Sequence, residues 1–394
     1  MRRIWEEGLF AWNLPYEYGG INGGDLSKHT EDFFSILLDL VAGDSSAGMN
    51  YVVQSLVTFE IFGDNGLPRS TKDEVAKLIA EEGIRFVASN SEAGSPARVI
   101  GTKVEGGLRL NGVKTFNTNS GGEGWANVGF ILEGEEGMMR HHALVPLSQE
   151  AVTCRHDWDV MGQRGTHSQT IEYNNVFVPD GYWWDRHSMS SNLAAYVFHL
   201  HSAITLGPGI GALDAAIEYV RKLDRPTLPE FASAIEDPLV RRRVGEFAAS
   251  IESAKAYLLR AAAKLENSDG DDPETLVEAF AVKVACVRAS LEVTSGIFEL
   301  TGARSTSNKY RFDRFWRNAR TFATHDPTDA KSVWVATTTS RARSPRSSPC
   351  FECEASWGAA DRPHPTFRRR PLHAASFFLF SPSAHRRRHA AQCP

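Results

Sequence analysis

The chain has 394 residues, 42% hydrophobic and 23% charged, enough to bury a sizeable core and to exclude disorder of the whole. Five cysteines exclude a disulfide scaffold and suit a reducing, cytoplasmic setting. A formal charge of −5 argues against a nucleic-acid binder.

Met1-Arg2-Arg3 is followed by Glu6 and Glu7 rather than an apolar run, so no signal peptide is expected. Residues 1–83 read as an N-terminal helical part. Phe33, Phe34, Leu37, Leu38 and Val41 lie at helical spacing. Asp44-Ser45-Ser46 caps a second helix to about Phe62, and Thr71 to Glu82 forms a third that Gly83 ends.

Residues 84–183 change period. Short β-forming runs (84–88, 99–104, 108–116, 128–132, 142–145, 170–178) alternate with Gly and Asn, and Asn111-Gly112 signals a tight turn. A compact antiparallel β domain is expected.

Residues 184–331 return to helix. Residues 187–213 hold no Asp, Glu, Lys or Arg but contain His199, His201, Asn192 and Pro208. That is too polar for a membrane span and suits a buried helix. Asp237-Pro238 and Asp272-Pro273 each place a cap before a proline. Behind the first, Val240, Val244, Phe247, Ile251, Ala254 and Leu258 form a seam. Behind the second, Val277, Phe280, Val284, Val287, Leu291, Thr294 and Phe298 do the same, as in a four-helix bundle. The fold class is α+β.

Residues 332–394 hold ten Arg, no Lys and three acids, a charge of +7, so the preceding 331 residues carry −12. With seven Pro, nine Ser and no period, this reads as a low-complexity, disordered basic tail.

Gly207-Pro208-Gly209-Ile210-Gly211 resembles a dinucleotide loop but lacks a preceding strand, so it reads as close helix packing. Cys350 and Cys353 have no second pair, and His141, His142, His199 and His201 lack partners at metal spacing, so no metal is expected. Arginines 304, 311, 314, 317 and 320 interleave with Tyr310, Phe312, Phe315, Trp316 and Phe322 ahead of His325-Asp326-Pro327. Two readings stay open at this point. One is a solvated amphipathic helix. The other is an anion site beside an apolar pocket, closed by a histidine able to exchange protons.

The sequence resembles the acyl-CoA dehydrogenase superfamily over about residues 5–331. The landmarks are Leu14-Pro15-Tyr16-Glu17-Tyr18-Gly19-Gly20, the stretch Asn111–Asn119, and the helical stretch ending at Asp326. It looks most like the reduced-flavin monooxygenases of the dibenzothiophene and sulfone type. That likeness is carried by His156-Asp157-Trp158-Asp159-Val160-Met161-Gly162-Gln163-Arg164 and by Phe315–Thr321 with His325-Asp326-Pro327.

The resemblance implies flavin between the β domain and the bundle, with reduced FMN expected and FAD the alternative. It assigns Thr118 to flavin N5, with Phe116 two residues away on the same strand face, and Asn90, Ser91 and Ser95 to the loop beside the ring and phosphate. Trp158 packs near the flavin, Arg304 serves the phosphate from a neighbouring subunit, and His325 is the base. The implied activity is oxygenation of a small organic substrate, sulfur compounds included, with O₂ and a flavin supplied by a separate reductase. A homotetramer is implied, with no nucleic-acid or membrane partner. One alternative is an FAD-dependent acyl-CoA dehydrogenase in which Asp326 replaces the family's Glu as base. The other is a non-catalytic relic or scaffold. Met49 and Val53 stand where the monooxygenases carry His and Tyr. The chain starts late for the family and leaves its pattern after Lys331, so the bundle is expected to be incomplete.

Overall fold

The computed structural model describes residues 1–342 except 138, 140, 187, 188, 269 and 270, with the backbone alone for 340–342. The first helices are α1 (Arg2–Glu6), α2 (Thr30–Gly43), α3 (Ser45–Phe62) and α4 (Arg69–Lys77). The Asp44 carboxylate accepts the Ser46 and Ala47 N–H groups at 2.9 and 3.1 Å, which starts α3 where the sequence placed it. Past α4, the turn Leu78–Glu82 ends at Gly83 with φ 62°.

The strands are β1 (Phe86–Ser89), β2 (Ile100–Val104), β3 (Gly107–Asn117), β4 (Trp125–Leu132), β5 (His141–Pro146), β6 (Val152–Cys154), β7 (Gln169–Pro179) and β8 (Trp183–Asp185). They pair in the order β6-β7-β3-β2-β4-β5-β8, with β1 beside β4. The sheet is mixed rather than antiparallel, because β1 and β2 both run parallel to β4. Leu108, Leu110, Val128, Phe130 and Val176 give it a core of its own.

Asn111-Gly112 is not a turn. Both residues pair with β7 inside β3, across a register shift between Leu110 and Asn111. Gly112 holds φ 144°, and a Cβ there would lie 2.2 Å from the Arg98 carbonyl oxygen. The glycine serves a bulge and a close backbone approach.

The later helices are α5 (Ser191–Arg221), α6 (Pro238–Lys264), α7 (Pro273–Thr301), α8 (Asp313–Ala323) and α9 (Thr328–Ala342). Asp237 and Asp272 cap α6 and α7 through Leu239 N–H and Glu274 N–H, both at 2.9 Å. The glycine run lies inside α5. Added Cβ atoms would stand 2.3 Å from Val41 Cγ1 at Gly207, 3.0 Å from Ser290 Cα at Gly209 and 2.2 Å from the Ala42 carbonyl oxygen at Gly211. The close-packing reading therefore holds.

The seam of α7 is displaced from the expected one. Leu276, Ala279, Lys283, Cys286, Ser290, Val293 and Ile297 are buried, while Val277, Val284, Leu291 and Phe298 are only half-buried. Small and polar side chains let α5 come close on that face. Helix α9 crosses the boundary expected at 331 and continues to Ala342. The remainder of the expected tail, including Cys350 and Cys353, lies outside the described residues. Among the described residues no helix is long and apolar enough to cross a membrane.

Candidate active site

Strand β3 loses its regular register after Lys114. Phe116 takes φ 54°, and the Thr118 N–H turns back to the Phe116 carbonyl at 2.9 Å. Simple alternation along the strand therefore fails here. Phe116 is 54% exposed whereas Thr118 is buried. The Phe116 ring meets half-buried Trp158 edge-on, 6.0 Å between centroids. Together they form an aromatic wall beside a buried hydroxyl.

From Thr118 a line of buried groups runs inward. Thr118 Oγ1 is 2.9 Å from Ser168 Oγ, which is 2.8 Å from Thr166 Oγ1. Thr166 Oγ1 donates to the Gln163 carbonyl at 2.8 Å, and Trp158 Nε1–H donates to the same oxygen at 3.1 Å. Gln163 also ties three regions together. Its side-chain amide donates to Ser45 Oγ at the start of α3 at 2.6 Å, and its backbone N–H donates to Asn318 Oδ1 on α8 at 2.7 Å. Sequence reasoning missed Ser168 and Thr166. Their signal was a pair of small hydroxyl residues two apart ahead of β7.

The loop between β1 and β2 carries Asn90, Ser91 and Ser95. The Ser95 hydroxyl sits 2.8 and 2.7 Å from the Ala97 and Val113 carbonyls, so its proton is engaged in folding the loop. The Ser91 carbonyl accepts the Thr115 N–H at 3.0 Å. Asn90 Oδ1 is buried and has no hydrogen-bond partner among the described residues. Glu92 anchors the loop. It meets buried Lys114 Nζ at 2.7 Å and Arg98 Nε at 3.0 Å. Burial pushes the Lys114 ammonium down to about 8 against the opposing pull of Glu92.

The strongest electrostatic feature surrounds Asp326. Its Oδ1 meets the Lys331 ammonium, and its Oδ2 lies 3.3 Å from His325 Nδ1 and 3.5 Å from His201 Nδ1. Lys331 and Lys283 are both almost fully buried. Lys331 Nζ sits over the Phe198 ring at 4.9 Å. Lys283 Nζ sits over Phe322 at 4.8 Å and donates to Thr205 Oγ1 at 2.9 Å. Burial alone would raise the Asp326 carboxyl, but the Lys283 charge and hydrogen bonds from both histidines hold it well below the usual carboxylate range. Burial pushes His201 down to about 3 and Lys283 to about 8. His325 stacks on Phe322, 5.0 Å between centroids, and its ring is exposed.

Among the described residues His201, His325 and Asp326 also have the spacing of a metal triad. Lys331 already occupies Asp326, and a divalent ion would face two buried ammonium groups. Asp326 is equally ill suited to be the free base of a dehydrogenase. Both its oxygens are engaged, and so depressed a carboxyl is a weak proton acceptor.

The arginine cluster separates in space. Arg311, Arg314 and Arg317 join Arg164 around a recess of about 180 Å³ between the α2–α3 junction and α8. Arg314 stacks on Phe315 at 3.9 Å, and Arg317 pairs with Asp313 at 2.9 Å. Arg304 stands exposed near Tyr219, and among the described residues no hydrogen bond or ion pair joins it to the Thr118 group. The aromatic wall and the Thr118 hydroxyl fit a flat aromatic cofactor with a polar edge, whereas Asn90 Oδ1 is turned towards Gly129 on β4, where an added Cβ would lie 2.6 Å away.

Known proteins resemble this chain in sequence and fold. Residues 199–330 match the acyl-CoA dehydrogenase C-terminal domain. The chain is 31% identical to dibenzothiophene monooxygenase of Mycolicibacterium goodii, over 83% of each chain. It is 28% identical to a probable FMNH₂-dependent monooxygenase, SfnC, of Pseudomonas putida, over 82% of this chain and 83% of that one. The FMN-bound structure of TdsC from Paenibacillus sp. A11-2 superposes with a TM-score of 0.76 at 26% identity, covering 87% of this chain and 90% of that one. The fold and these likenesses therefore define a flavin-dependent oxidoreductase of acyl-CoA dehydrogenase-like architecture. Within that class, the chain belongs to the dibenzothiophene monooxygenase family.

Proposed function

We propose that this chain takes reduced FMN from a separate reductase and uses O₂ to oxygenate a small, largely apolar substrate. One oxygen atom enters the substrate and the other leaves as water. The observation that carries the reading is the state of His325 and Asp326. The carboxylate is committed to Lys331 and the two imidazoles, which leaves an exposed histidine as the group free to exchange a proton.

Bound reduced flavin supplies the two electrons that activate O₂. The chain's own residues do the rest. Phe116 and Trp158, set edge to face, would line one side of the ring with apolar surface and help to keep water from it. Thr118 orients the ring edge. Asp326, as an anion, accepts from His325 Nδ1–H and leaves Nε2 as the acceptor, so His325 takes and returns a proton there. Glu92, paired with Arg98 and Lys114, would hold the loop that carries Asn90, Ser91 and Ser95 in place beside β3. Arg304, exposed in one chain, serves the cofactor phosphate of a neighbouring subunit in the homotetramer we infer. The setting inferred for this chemistry is the cytoplasm.

The test supplies FMNH₂ and ¹⁸O₂ with dibenzothiophene as a first probe and indole as a second, and follows label into product by mass spectrometry. Label in the product supports the reading. His325→Ala is expected to abolish labelling while FMNH₂ still binds. Undiminished labelling in that variant removes His325 from its role. Anaerobic bleaching of bound flavin by an acyl thioester would instead favour the dehydrogenase.

A further inference from the structure

We infer that Ser168 and Thr166 make Thr118 a pure hydrogen-bond acceptor, so that the site selects reduced over oxidised flavin. This rests on the flavin reading above and deepens it.

The argument follows the protons. The Gln163 carbonyl oxygen can only accept, and Thr166 Oγ1 gives it its single proton at 2.8 Å. At 2.8 Å from Ser168, Thr166 must then be the acceptor, so the Ser168 proton points to Thr166. At 2.9 Å from Thr118, Ser168 must in turn accept, so the Thr118 proton points inward. Thr118, Ser168 and Thr166 are 8%, 6% and 2% exposed, which leaves bulk water little access to break the sequence. The Thr118 N–H is also engaged, with the Phe116 carbonyl. What Thr118 offers a ligand is therefore lone pairs alone.

Reduced flavin carries a hydrogen on N5 and can donate it to Thr118. Oxidised flavin has a lone pair on N5, which would face another lone pair and gain nothing. The line of hydroxyls thus holds the form of cofactor that enters and weakens the hold on the form left after turnover. Ser168 and Thr166 are positioning residues acting through Thr118.

The test measures Kd for FMNH₂ under anaerobic conditions and for FMN, on the full chain and on Ser168→Ala and Thr166→Val. The wild type is expected to prefer FMNH₂. Each variant frees the Thr118 hydroxyl to rotate towards the ligand. Each should lower the Kd ratio, oxidised over reduced, by about tenfold, the scale of one hydrogen bond. The bound-flavin midpoint potential should fall by about 30 mV, the same factor for a two-electron couple. Two variants guard against one failing to fold. A wild-type ratio near one, or variants that bind both flavins with the wild-type ratio and potential, overturn the inference and leave the flavin reading standing. A wild type that binds neither flavin overturns the flavin reading, and this inference with it.

Discussion

The backbone N–H of Gln163 donates to the side-chain oxygen of Asn318 at 2.7 Å. With the bond from Arg317 Nη1 to the Met161 carbonyl at 3.0 Å, it docks the loop before β7 onto the helix leading to His325. The fit is close, for a Cβ on neighbouring Gly162 would lie 2.0 Å from the Arg317 carbonyl oxygen. Asn318→Ala should leave a poorly hydrated N–H without a partner and cost about 1–3 kcal/mol. Asn318→Asp keeps the acceptor and should recover most of that. Urea denaturation of the three proteins checks the ordering.

Glycines of the bundle should divide by what surrounds them. At Gly211 a Cβ meets the backbone oxygen of Ala42 at 2.2 Å, and backbone cannot swing aside. Gly211→Ala should destabilise by about 1–3 kcal/mol through overpacking. Gly245, inside α6, has nothing within 4 Å of that position. Gly245→Ala should stabilise by about 0.5–1 kcal/mol, because alanine loses less backbone entropy in a helix. Denaturation midpoints moving in opposite directions are the expected result, and a shared direction would contradict it.

Much of the fold was legible because its signals are local. Asp44, Asp237 and Asp272 cap helices wherever they fold, and the glycine run in α5 reads as packing once a strand is missing before it. What failed depends on partners distant in sequence. Asn111-Gly112 is a turn signal only until β7 pairs across it, and three-residue strands such as β6 and β8 are too short to show a period. The displaced α7 seam hid Lys283, because an apolar period assigns a lysine to solvent. His325 and Asp326 were legible by chemistry. Their environment was not, since it draws on His201 from α5, Lys283 from α7 and Lys331 from α9.

His199 makes stability depend on pH in a definite direction. Burial pushes its imidazole down to about 3 from an ordinary 6.5, and its Nδ1 has no hydrogen-bond partner among the described residues. Between about pH 3 and 6.5 the unfolded chain binds a proton on this ring and the folded chain does not. Stability therefore rises with pH across that window and is lost on acidification below about 6.5. His199→Leu should reduce the slope by up to about 1.4 kcal/mol per pH unit. The check is urea stability at several pH values from 4.5 to 7, where a slope equal to that of the wild type would count against the buried, neutral ring.

Asp326 and Lys331 should behave as a pair that is costly to break and cheap to replace. Lys331 is 2% exposed in its side chain and Asp326 14%, so removing either partner leaves a charge largely out of water. Lys331→Met should destabilise by about 3–5 kcal/mol. Adding Asp326→Asn removes the stranded carboxylate and should return much of that loss, although Lys283 then loses its nearby anion. The double variant should also lose oxygenation while still binding FMNH₂, because His325 no longer has an anion at Nδ1 to hold its tautomer. A double-mutant cycle in urea, read beside the product assay, separates these outcomes. Strictly additive losses would mean that the two side chains do not interact, and undiminished oxygenation in the double variant would mean that Asp326 does not hold His325.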